Sequence, residues 1–137
     1  MDNLSQYLNE FDQKIYLKSL ISIAQADAQI TENEREFIET QAGLLGIDIT
    51  PYWNEQKIDI SSLDSSSLSH LTKMTIIRDS VVLSYIDRNY SQAEREMVLN
   101  IAKNFSINKT EVDKIEEWLK EYWKILEQGK KLLGIMV

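Results

Sequence analysis

The sequence predicts an all-α protein, a bundle of six to seven helices built from two pseudo-symmetric αα-hairpin repeats. Apolar residues recur at the three- and four-residue spacing of a helix through most of the chain, and runs that alternate with period two are few. The 137 residues include only one Pro and four Gly, so the residues that mark β-turns are scarce. A stretch in the first half also resembles a stretch 60 positions later. We assign residues 1–137 to a single domain, since the length is that of one domain.

Two helices make up the first predicted hairpin. The first helix runs from about Ser5 to Ala26. Thr31 and Glu34 have the spacing of a capping box, in which Thr caps the helix and Glu is its third residue. The second helix therefore starts at Thr31 and ends near Leu45, where Gly46 is placed to terminate it.

A short helix and a linker follow. Thr50 and Pro51 are predicted to be the N-cap and the first residue of a helix that runs through about Gln56. Ser and Asp crowd residues 58–67, which favours a linker between the two halves of the chain.

The second half repeats the pattern. A helix is predicted from Leu68 to Ile86, and Ser91 with Glu94 forms a second capping box, whose helix ends near Phe105. Thr110, with Asp113 three residues later, predicts the cap of a last helix. The apolar face expected for the helix over 68–86 consists of Leu68, Leu71, Met74, Ile77 and Val81.

Residues 21–48 align without gaps to residues 81–108. The identities fall at the same steps of each copy, which are a helix, an Asp, a short turn, a capping box and a second helix. This agreement favours an internal duplication of an αα-hairpin. The identical pairs include Asp27 with Asp87, Glu34 with Glu94, Arg35 with Arg95, Glu36 with Glu96, Ala42 with Ala102 and Ile47 with Ile107.

The two turns carry a resemblance to a known family. Residues 26–34 read ADAQITENE, and residues 86–94 read IDRNYSQAE. Both are similar to the motif of the TerB-like domain, in which a helix ends in Ala-Asp-Gly and a Ser or Thr then starts the next helix with Glu. Ala28 and Arg88 stand where the family has Gly, so the turns depart from the family pattern there. The resemblance covers about residues 10–125.

The TerB-like family is named for tellurite-resistance proteins, and the domain also occurs at the front of a DnaJ-type co-chaperone. The resemblance implies an all-helical domain of about seven helices with a two-fold internal repeat. It also implies a role in bacterial stress response or membrane-linked signalling, without an established enzymatic activity. Acidic loop residues have been proposed to bind divalent metal in the family.

The acidic residues of the turns support more than one interpretation. In the preferred one, Asp27 and Asp87 accept hydrogen bonds from backbone N–H groups of the turns, and Glu34 and Glu94 complete the capping boxes. In the second, each turn binds a cation, for which oxygen ligands favour Ca²⁺ or Mg²⁺. The ligands would be Asp27, Glu32 and Glu34 in the first turn and Asp87, Asn89 and Glu94 in the second.

Neither turn is an EF-hand. Glu32 and Gln92 stand at the position of the loop Gly, and Ile38 and Val98 stand at that of the bidentate Glu. A hydrolase that uses Asp27 and Glu34, or their second-copy equivalents, is a third and distant hypothesis. No motif of a catalytic cleft accompanies these acids.

Composition excludes several classes of function. The chain has no Cys, so zinc fingers, Fe–S clusters and thiol nucleophiles are excluded. His70 is the only His, which excludes a multi-histidine metal site, and we expect it to be exposed or at a helix start. No catalytic residue and no certain cofactor is predicted.

The net charge of −7 lies in the first half. Residues 1–60 hold 11 acids and 4 bases, whereas the remainder holds 11 of each. This distribution disfavours nucleic acid and suits a cation or a basic protein partner. No apolar run is long enough for a transmembrane helix, and Met1–Leu4 lacks the features of a signal peptide, so we expect a cytoplasmic protein.

The last helix is rich in aromatic residues. Trp118 and Tyr122 share a helix face and are expected in the core, while Trp123 points elsewhere, so an exposed aromatic would mark a partner surface. Residues 130–137 are basic and then apolar. This tail would dock on the body, pair with a second copy or touch a membrane surface.

From these observations we expect a non-enzymatic TerB-like interaction or sensor module of a bacterial stress-response system. Its partner would be a protein, membrane-associated or not, and a homo-oligomer is left open. The alternative is a divalent-cation-binding protein that uses the two acidic helix–turn–helix loops.

Overall fold

The computed structural model describes residues 10–26, 30–53, 64–86 and 91–135. Within these ranges the protein is all-helical, as predicted, and its six helices pack together. In chain order they are α1 (Glu10–Gln25), α2 (Glu32–Leu45), α3 (Thr50–Trp53), α4 (His70–Tyr85), α5 (Gln92–Asn104) and α6 (Lys109–Leu132).

Two helices, α1 and α4, form the centre of the bundle. They pack against each other, α2 and α5 pack beside α1, and α5 and α6 pack beside α4. Because α4 is covered on nearly all sides, it buries polar residues as well as apolar ones. The core residues of these two helices include Tyr16, Leu17, Leu20, Ile23, Ile76, Ile77, Val81 and Leu83.

The apolar face predicted for α4 needs one correction. Leu71 is exposed, whereas Arg78 and Asp79 are buried. Leu71 lies in the first turn of the helix, and the polar residues lie in its middle, where neighbouring helices cover every side. Ser69 caps this helix by accepting a hydrogen bond from Thr72 N over 3.1 Å, and His70 is exposed at the helix start, as expected.

Both predicted capping boxes are present. In α2, Glu34 N donates to Thr31 Oγ1 over 3.1 Å, and Thr31 N donates to Glu34 Oε1 over 3.0 Å. In α5 the corresponding bonds between Ser91 and Glu94 measure 3.1 and 3.3 Å. Gly46 ends α2 in the left-handed conformation with φ of 70°, as its position predicted.

The predicted start of the last helix was wrong by two residues. Its N-cap is Asn108, whose side chain accepts a hydrogen bond from Glu111 N over 3.0 Å, and not Thr110. The preceding Ile107 is buried and its N–H bonds to Ala102 O over 2.8 Å, so the chain already turns into α6 at Asn108.

The short helix α3 begins at Thr50 itself, whose N–H donates to Asp48 Oδ1 over 3.0 Å. Thr50 was predicted as the residue before the helix. The remaining part of this predicted helix, to Gln56, and residues 58–63 of the predicted linker lie outside the described residues. Residues 64–67 of the linker are non-helical, as predicted.

Features of the two halves recur 60 residues apart. The end of α1 at Gln25 and that of α4 at Tyr85 are 60 residues apart, while the predicted start of the first helix at Ser5 lies outside the described residues. The ends of α2 and α5 also agree, because Gly46 and Ser106 both have positive φ, of 70° and 60°. Ile47 N bonds to Ala42 O over 2.9 Å, as Ile107 N does to Ala102 O.

The aromatic residues of α6 are placed differently from the prediction. Trp118 is 52% exposed rather than in the core, and Tyr122 is half-buried. Trp123 packs on the core and against Tyr85, with ring centroids 5.3 Å apart. The reason is the rotation of α6, which turns Val112, Leu119 and Trp123 toward the body. None of the described helices combines the length and apolar character needed to cross a bilayer.

Candidate functional site

Glu34 and Glu94, one from each predicted repeat, lie side by side in the interior. Each is the third residue of its helix, and each carboxyl group bonds back to the N-cap residue of that helix. Both side chains are buried, and the Glu34 carboxyl group lies close enough to raise the pKa of Glu94 through a hydrogen bond and its charge. The capping boxes hold each acid at the start of its helix, and the packing of the bundle brings the starts of α2 and α5 together. We call these two residues the carboxyl pair.

The environment favours a proton on this pair. Burial, together with the hydrogen bond and the negative charge of Glu34, raises the pKa of Glu94 to about 8, although hydrogen bonds from Ser91 act in the opposite direction. Near neutral pH the carboxyl pair therefore holds one proton. The carboxyl pair then carries one negative charge instead of two.

The structure places the other predicted ligands away from the pair or does not describe them. Glu32 is exposed at the first position of α2. It lies two residues before Glu34, so the two side chains point to nearly opposite sides of the helix. Asp27, Asp87 and Asn89 lie outside the described residues. Among the described residues, no three His, Cys, Asp or Glu side chains are grouped as a metal site.

A second buried polar cluster joins the central helices. Asp79 Oδ2 accepts a hydrogen bond of 2.6 Å from Tyr16 Oη, and Asp79 Oδ1 accepts 2.7 Å bonds from Arg78 Nε and Nη2. Tyr16 Oη also lies 3.3 Å from Gln41 Oε1. This Tyr16–Arg78–Asp79 cluster ties α1 to α4, and its charges are paired, so its geometry is that of a structural ion pair.

Arg35 and Arg95, which the alignment pairs, each contact a residue of the helix that follows in the chain. Arg35 of α2 lies over the ring of Trp53 in α3, 4.6 Å from its centroid. Arg95 of α5 contacts Asp113 of α6 over 3.0 Å, and residues 53 and 113 are again 60 apart. Arg95 also forms two bonds to the buried Glu116, of 3.1 and 3.3 Å. Equivalent positions are thus joined by a cation–π contact in one half and by ion pairs in the other.

Two surface depressions are present in the described part of the chain. One of about 420 Å³ lies at the α5–α6 turn and is lined by residues such as Leu99, Ser106 and Lys109. One of about 460 Å³ is lined by Val82, Tyr85, Ile86 and Trp123. Neither includes a member of the carboxyl pair, so the acids and the depressions do not combine into one cleft.

Sequence reasoning identified Glu34 and Glu94 but assigned them to separate turns. The signal that could have paired them is their equivalence in the alignment, together with the expectation that two repeats pack face to face. No family model, curated protein or solved structure matches the chain. The resemblance to TerB-like domains therefore rests on the residues of the two turn motifs.

Proposed function

We propose that this chain is a non-enzymatic, TerB-like interaction or sensor module of a bacterial stress-response system, acting in the cytoplasm on a protein partner. The observation that carries the sensing part is the carboxyl pair, in which buried Glu34 and Glu94 join the starts of α2 and α5. A proton or a cation bound to this pair would change the force between the two helical hairpins where they meet.

The internal repeat is part of the proposal. Thr72 of α4 bonds to Asp12 of α1, and Glu94 bonds to Glu34; both pairs are 60 residues apart. Residues at equivalent positions of two copies meet each other only near the axis that relates the copies, as in an isologous interface. These two contacts support a pseudo-symmetric arrangement of two αα-hairpins, with the carboxyl pair close to its axis.

The state of the carboxyl pair determines the force between the hairpins. With one proton, the two groups share a hydrogen bond and hold the helix starts together. Without it, two negative charges face each other in a poorly solvated site and repel. A divalent cation would relieve the same repulsion, because carboxylate oxygens are the ligands that Ca²⁺ and Mg²⁺ prefer. Loss of the proton would therefore push the two helix starts apart, whereas binding of a cation would hold them together.

The alternative function, a divalent-cation-binding protein, is favoured by the same acids. Two carboxyl groups are too few for a Ca²⁺ site, which takes six to eight oxygen ligands. Asp27, Asp87 and Asn89 in the adjoining turns would have to supply further ligands. The interaction or sensor proposal does not need them, so it is placed first.

Titrations of the full chain with Ca²⁺, with Mg²⁺ and with base, followed through backbone amide NMR signals, test the sensing function and the cation-binding alternative. The proteins are the wild type, the Glu34→Gln and Glu94→Gln variants, and Glu36→Gln, an exposed acid on α2, as a matched control. Gln at the third helix position can retain the capping box, so the variants keep the helix starts. Asp27→Ala and Asp87→Ala examine the turns.

If the carboxyl pair senses a cation, saturable shifts of residues 31–35 and 91–95 occur in the wild type and in Glu36→Gln, and are lost in Glu34→Gln and Glu94→Gln. Shifts that also vanish in the Asp variants favour the cation-binding alternative. If neither metal nor pH moves these signals in the wild type, the sensing function is wrong, and only the interaction function is left.

A further inference from the structure

We draw no further inference here: the strongest candidate, the exposed apolar surface patch that Trp118, Ile125 and Leu132 form on α6, carries none because nothing in the structure shows what covers it.

Discussion

Thr72 Oγ1 donates a 2.9 Å hydrogen bond to Asp12 Oδ2, although the two residues are 60 positions apart in the chain. Both side chains are buried, and Ser69 Oγ, at the N-cap of α4, donates to the same Thr72 hydroxyl over 3.0 Å. The first turn of α4 is thereby fixed to α1 at Asp12. Glu34 and Glu94 make the corresponding contact between α2 and α5, so polar bonds join both pairs of helices that the predicted repeat relates.

The carboxyl pair predicts an unusual dependence of stability on pH. The pKa of Glu94 is about 8 in the folded protein, against an ordinary value of 4.5. Between these values the folded state binds more protons than the unfolded state, so the free energy of unfolding falls as pH rises. One proton corresponds to a slope of about 1.4 kcal/mol per pH unit. Urea denaturation at a series of pH values from 5 to 8.5, a range chosen to span roughly that interval, measures it.

Glu94→Gln is expected to flatten this slope, because Gln keeps the capping box and the bond to Glu34 but does not titrate. Glu36→Gln, which changes an exposed acid of α2, should retain the wild-type slope. Equal slopes in Glu94→Gln and in the wild type would show that another group takes up the proton.

The Tyr16–Arg78–Asp79 cluster predicts a large effect of removing one charge. Asp79→Ala leaves the buried Arg78 guanidinium unpaired and is expected to cost about 3–5 kcal/mol of unfolding free energy. Tyr16→Phe removes one hydrogen bond while the ion pair survives, at a cost of about 1 kcal/mol. Urea midpoints of the two variants compare these costs directly. An Asp79→Ala variant as stable as Tyr16→Phe would contradict the assignment of a desolvated ion pair.

Arg95 is expected to hold α6 on α5. Arg95→Ala leaves the buried Glu116 carboxylate without its cation and should lower the free energy of unfolding by about 2 kcal/mol. Arg95→Lys should recover only part of this, because an ammonium group cannot form the two parallel bonds. Arg35→Ala is the matched control, since its partners Glu39 and Trp53 are more accessible, and its cost should stay below about 1 kcal/mol.

The residues that end α2 and α5 both have positive φ, so replacing Ser106 by Gly and replacing Gly46 by Ala should change stability in opposite directions. Ser106 adopts φ of 60° without being Gly, so Ser106→Gly should stabilise the protein by about 0.5 kcal/mol in thermal melts. Gly46→Ala, at φ of 70°, should destabilise it by about 1 kcal/mol. Gly43→Ala provides the control, because it is within α2 with open space around it and should stabilise by about 1 kcal/mol.

Features that depend on a few neighbouring residues were predictable from the sequence. The capping boxes at Thr31 and Ser91 and the end of α2 at Gly46 each involve bonds over three to five residues, so their spacing alone identifies them. The start of α6 was misplaced because Asn108 and Thr110 each precede an acid by three residues. Burial of Ile107 favours the start at Asn108, and burial depends on packing against distant parts of the chain, which residue spacing does not show.

Contacts across the bundle were not predictable in the same way. Arg78 and Asp79 have the sequence appearance of a solvated pair, and only the position of α4 between its neighbours buries them. The aromatic residues of α6 were misassigned because its apolar residues cover two adjoining faces, and spacing does not indicate which face meets the body. The pairing of Glu34 with Glu94 required the packing of two hairpins as well as the alignment.

The loss of side-chain cover along α6 has a consequence for amide hydrogen exchange. Val112 and Leu119, seven residues apart, are fully buried, but the next residues at this spacing, Leu126 and Leu133, are 43% and 77% exposed. Backbone hydrogen bonding continues through α6 to Leu132, so side-chain cover ends before the helix does. Amides around Leu119 are expected to exchange only when the whole protein unfolds, whereas the last turns open by fraying at much lower free energy. The point along α6 at which protection falls would therefore mark where the body of the protein ends.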